Sequence, residues 1–90
     1  MVYYSESSKK AYWGYLSGML ACRPPRLTER RMAKLRKLLW DDSIFWGDLI
    51  YRHGKGNPEP RTMEPKILEH CVGNFYGMLM EEAVKNGMIK

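Results

Sequence analysis

Few residues in this 90-residue chain combine reactive side chains with a spacing that chemistry could use. His70 and Cys71 are adjacent, and neighbours on a helix point about 100° apart, so they can neither share a metal ion nor form a thiolate–imidazolium couple. Cys71 falls in one arc with Ile67, Phe75 and Met78, which is the position of a small core hydrophobe. Asp41 and Asp42, with Asp48 and His53 downstream, form an acidic group that could hold Mg²⁺ or divide acid and base roles. Two carboxylates directly ahead of a helix serve first as N-caps, and a hard cation needs more oxygen ligands than these residues supply. Gly54-Lys55-Gly56-Asn57-Pro58 could wrap a phosphate, but GxxxxGK[ST] and its preceding strand are both missing. An exposed, flexible loop is expected there. No catalytic residue, cofactor or metal site is assigned. The apolar helix faces carry almost no polar groups that could converge in a pocket, so an enzyme is not expected.

Charge is the stronger signal. Arg23, Arg26, Arg30, Arg31, Lys34, Arg36 and Lys37 lie within one short segment against the single acid Glu29. That segment carries +6 of a net +5, and the remaining eight bases and nine acids leave −1. A phosphate backbone attracts such a stripe through counterion release, and the planar fork of Arg suits phosphate and carboxylate alike. The chain is expected to be a small basic binding protein that engages nucleic acid through these seven residues, with Lys9, Lys10 and Lys55 widening the footprint. The alternative is an inhibitor or adaptor of the kind phages encode, or an accessory subunit, docking on an acidic protein surface. An anionic membrane surface is a third option, but the helix needs its Leu and Met face for the core. A helix-turn-helix is disfavoured, because its recognition helix would present Phe45, Trp46, Leu49, Ile50 and Tyr51 instead of base-reading polar groups. If the stripe is only a solvated face, the next candidate is the polar stripe His70, Asn74 and Glu81.

Four helices are expected to position these residues. The first spans about Ser7 to Ala21, capped by one of Ser5, Ser7 or Ser8 and stopped by Arg23-Pro24-Pro25. Thr28 caps a second helix from Glu29 to about Trp40, with Met32, Leu35, Leu38 and Leu39 on one side and Arg30, Lys34 and Lys37 on the other. The Asp41-Asp42-Ser43 group starts a third, Ile44 to about His53. Thr62 is read as the cap of the fourth and longest, which Gly87 ends in a Schellman-type stop. Period-2 alternation is absent, so residues 1–90 read as a single all-α domain.

The segments GYLSGML and GNFYGML repeat Gly14, Gly18, Met19 and Leu20 as Gly73, Gly77, Met78 and Leu79. Glycines four apart leave a strip where a second helix can approach, so close-packed terminal helices are expected, within the domain or across a homodimer. Gly14→Leu would then overpack the contact at a cost of about 1–3 kcal/mol. Cys22 and Cys71 fit no ligand spacing and too few cysteines are present for a secreted scaffold, which favours free thiols. The opening MVYYSESSKK has no signal-peptide core, and the longest uncharged run, Ala11 to Cys22, is too short to span a bilayer. Cytoplasmic residence is the expectation.

Overall fold

The chain's structure, a computed structural model, describes residues 5–20, 28–57 and 59–88. Helix α1 runs Glu6–Leu20 and α2 Glu29–Leu39. A single α turn, α3, covers Ser43–Trp46 and passes directly into a π-helix over Gly47–His53. A 3₁₀ turn at Pro60–Thr62 precedes α4, Pro65–Lys85. The described residues contain no strand. The Cα radius of gyration is 12.3 Å, close to the roughly 12 Å expected of a compact chain this long.

Each helix start answers to a local cause. Ser5 Oγ accepts from Ser8 N (3.2 Å) and Thr28 Oγ1 from Arg31 N (3.2 Å), each satisfying one orphan amide of a first turn. Asp42 Oδ1 accepts from both Ile44 N and Phe45 N at 3.0 Å, so Asp42 is a cap and not half of a carboxylate pair. Thr62 does not cap α4. Its hydroxyl donates to Glu59 O inside the 3₁₀ turn (2.8 Å), Glu64 takes the cap position, and Pro65 opens the helix, where its missing N–H costs nothing. The far end closes as expected. Met88 N donates to Ala83 O (2.8 Å) and Gly87 N to Val84 O (3.0 Å), with Gly87 at φ 71°, the Schellman pattern.

Trp46 occupies the centre, 1% exposed, with Tyr12, Leu16, Leu35, Leu49, Ile50, Phe75 and Leu79 buried around it. Phe45 and Trp40 meet its ring edge-on at 5.1 and 5.7 Å, and Trp13 lies tilted at 6.2 Å. The segment Gly47–His53 is a π-helix where a continuous α-helix to His53 was expected. With bonds reaching one residue further, Gly54 N donates to Leu49 O (2.9 Å), and residues five apart come into line. Leu49 and Ile50 are buried, on the inward side that helical spacing from Phe45 and Trp46 leads one to expect.

The terminal helices pack on each other, but not through their glycines. Trp13 of α1 meets Phe75 of α4 edge to face, 5.4 Å between centroids at 89°. Gly14, Gly18, Gly73 and Gly77 are all exposed, and a Cβ built on any of them meets nothing within 4 Å. In both helices the glycines lie opposite the aromatic arc. Turning aromatics inward removes far more apolar area from water than closing on glycine would. Leu38 also departs from expectation, 52% exposed at the flank of the Met32–Leu35–Leu39 face.

The loop after His53 is tied down where a flexible one was expected. Gly54 and Pro60 are buried; Gly56 N donates to Ile50 O (2.9 Å), Asn57 Nδ2 to Gly54 O (2.7 Å), and the buried Tyr12 hydroxyl to Asn57 O. A Cβ on Gly54 would stand 2.6 Å from Tyr12 Oη and 2.8 Å from Ile50 O. The repeated glycines and the loop glycine should therefore respond oppositely to substitution. Gly14→Ala and Gly73→Ala should each raise unfolding stability by about 0.5–1 kcal/mol, and Gly54→Ala should lower it by about 1–3 kcal/mol. Urea midpoints of the three variants test this; a destabilised Gly14→Ala would place that strip in a contact.

Candidate nucleic-acid interface

Helix α2 is amphipathic by sequence, and its apolar arc decides where the charge goes. Leu35 and Leu39 are buried and Met32 packs against them, which turns Arg30, Lys34 and Lys37 at i, i+4 and i+7 to the outer face, all three exposed. Arg31, half-buried, and Arg36, exposed, flank that row on opposite sides. Among the described residues no carboxylate pairs with Arg30, Lys34, Arg36 or Lys37; the ion pairs present join Arg52 and His53 to Asp48, and Arg61 to Glu59. Five of the seven predicted cations thus share one helix. Arg23 and Arg26 lie outside the described residues.

The carboxy-terminal end of α2 adds an aromatic component that charge patterning alone did not reveal. The Arg36 guanidinium lies over the Trp40 ring, 4.8 Å from its centroid, and Lys9 Nζ lies 5.6 Å from the same ring, both within cation–π range. Lys9 Nζ also donates to Trp40 O (3.0 Å), a cation on a helix's last carbonyl, where the dipole favours it. Beside this stack a shallow cleft of about 450 Å³ opens between α1 and α2, lined by Lys10, Arg36, Lys37 and Trp40 with Glu6 and Asp41 at its edge. Lys9 and Lys10 therefore do extend the basic surface. Trp40 is the residue missed; the Arg36–Trp40 spacing of i, i+4 was the available signal.

The other sequence candidates resolve into structure. Cys71 is fully buried with Sγ 3.9 Å from Leu49 O, and burial pushes its thiol up to about 11, which removes the nucleophilic thiolate at neutral pH. Lys55 takes φ 55° on the anchored loop. Asn74 Nδ2 donates to His70 O (2.9 Å) and lies 3.2 Å from His70 Nε2. Among the described residues no three His, Cys, Asp or Glu side chains converge on a metal-binding point. The segment expected as a third helix holds Phe45, Trp46, Leu49 and Ile50 in the core, so it offers no recognition helix.

One titratable group is perturbed at the joint between the π-helix and α4. His53 Nε2 lies 3.5 Å from Asp48 Oδ2, the i, i+5 partner that the wide turn aligns, and its ring meets that of His70 at 5.3 Å. Burial lowers the His53 pKa below its usual value, with His70 and Arg52 adding to the shift and Asp48 opposing it. A histidine that protonates less readily folded than unfolded loses stability as pH falls below about 6.5, where the unfolded chain takes up the proton first. The melting temperature should therefore hold above neutrality and decline on acidification through that window. His53→Gln should flatten this part of the profile, and an unchanged profile would assign the acid sensitivity elsewhere.

Compared with known proteins, the chain matches no family model, no curated protein and no solved structure.

Proposed function

We propose that this chain is a non-enzymatic binding protein that engages nucleic acid through the solvent face of α2. The observation that carries this reading is the state of its cations: Arg30, Lys34, Arg36 and Lys37 are exposed and none is neutralised by a carboxylate among the described residues. A row of free cations with helical spacing suits a phosphate backbone, each contact releasing condensed counterions. Trp40 lines the adjoining cleft, with Arg36 and Lys9 both within cation–π range of its ring, so the basic surface continues past the end of α2. No helix among the described residues is long and apolar enough to cross a membrane, and the reducing cytoplasm is the compartment we assign. The alternative occupant of the same face is an acidic protein surface, and binding to nucleic acid at low salt separates the two.

Affinity for a labelled duplex and for a single strand, measured across salt concentrations, should fall linearly on logarithmic axes. Changing Arg30, Lys34 and Lys37 together to Gln should reduce the duplex slope by up to about 2.7, at about 0.9 per lost contact. The variant should fold normally, since exposed substitutions away from caps and packing stay within about 0.5 kcal/mol. No binding at low salt would contradict the proposal and leave an acidic protein surface as the partner. Binding with an unchanged slope in the triple variant would move the site off this face.

A further inference from the structure

A second surface has the opposite character. Where α3 and the π-helix meet α4, a cleft of about 620 Å³ opens, with Leu39, Phe45 and Met78 in its wall and Ile44 and Tyr51 at its lip. Ile44 is 82% exposed and Tyr51 66%, a wasteful placement for a large aliphatic and an aromatic unless something covers them. Asp42, Asp48, Glu81 and Glu82 also line the cleft, against Arg52 and Lys85. It is therefore net negative, −2 by these residues, on a chain whose total is +5. Gly47 also lines the cleft, with ordinary helical angles (φ −62°, ψ −45°) and open space around a Cβ built there.

We propose that this cleft is a docking site for a cationic, amphipathic segment of another protein, one that inserts apolar anchors between Ile44 and Tyr51 and sets Lys or Arg against the acidic lining. Helix-in-groove recognition needs an apolar slot with polar edges, and both are present. The charge selects the occupant. Apolar walls alone would accept any hydrophobic segment, but four carboxylates desolvate unfavourably beside an acidic one and attract a basic one. A nucleic acid is repelled for the same reason, so this site is independent of the α2 face.

Selection of a displayed random-peptide library against the protein tests the proposal. Enriched sequences should combine aliphatic or aromatic anchors with Lys and Arg. A synthetic copy of the leading peptide should bind with fluorescence-anisotropy affinities that drop at least tenfold for Gly47→Met, which adds a long side chain to the cleft lining in a backbone conformation methionine accepts. Ile44→Ser with Tyr51→Ser should lower affinity to a similar extent, and Glu81→Lys should lower it severalfold. None of the three variants should melt below the parent, and the α2 triple-Gln protein should bind the peptide undiminished. Failure to enrich any sequence, enrichment of acidic peptides, or binding that Gly47→Met leaves intact would overturn the proposal. A dimer in sedimentation equilibrium that Gly47→Met dissociates would also overturn it, by giving the cleft to a second copy of this chain.

Discussion

The arrangement depends on one buried indole. Trp46 Nε1 donates to both Leu39 O (2.9 Å) and Trp40 O (3.0 Å) at the end of α2, where Leu39 O accepts from Asp42 N as well (3.1 Å) and the last carbonyls lack α-helical donors. A helix end buried without such donors would be costly. This contact lets α2 terminate against the core, and the ring's faces then recruit Trp13, Trp40 and Phe45. Lys9 from α1 reaches the same Trp40 carbonyl from the solvent side. One side chain and one lysine thus join α1, α2 and α3 at a single point.

The two surfaces are consequences of that joint. With its end fixed and Leu35 and Leu39 inward, α2 has only one way to face, and its cations point to solvent. The turn from Trp40 through Asp42 into α3 is short, so Ile44 is thrown outward in the first turn while Phe45 and Trp46 go inward. The π-helix then brings Leu49 and Ile50 to the core and leaves Tyr51 outside. The acid-lined apolar cleft borders Leu39 and the basic cleft borders Trp40, so the two meet the end of α2 at adjacent residues. Under the two proposals made above, one face would take polyanions and the other cationic protein segments.

Much of this was legible in the residues because local physics decided it. The helices, the Thr28 and Asp42 caps, the Schellman stop at Gly87 and the outward turn of Arg30, Lys34 and Lys37 all follow from side chains within a turn or two of each other. The failures share a cause: they required knowing what a segment packs against. Glycine spacing on α1 and α4 signals that a close approach is permitted, not that one occurs, and Trp13 and Phe75 claimed the interface. The loop from Gly54 to Asn57 has the composition of a mobile turn, yet Tyr12, forty-five residues from Asn57, anchors it. Nothing local announces the π-helix either, since the Phe45, Trp46, Leu49 and Ile50 spacing fits an ordinary α-helix equally well. Ile44 and Tyr51 fall opposite the Phe45, Trp46, Leu49 and Ile50 arc by helical spacing, and both are exposed.

The central claim is that the outward face of α2 is a contact surface and not merely a soluble one. Its most direct test is a ¹H–¹⁵N NMR titration of the protein with a short single-stranded oligonucleotide at low salt. The account predicts amide shifts concentrated on residues 30–37 and a shift of the Trp40 indole resonance, with Ile44, Gly47 and Tyr51 unmoved. A spectrum that stays unchanged throughout, or shifts centred on the cleft at Gly47 while α2 stays still, would contradict it.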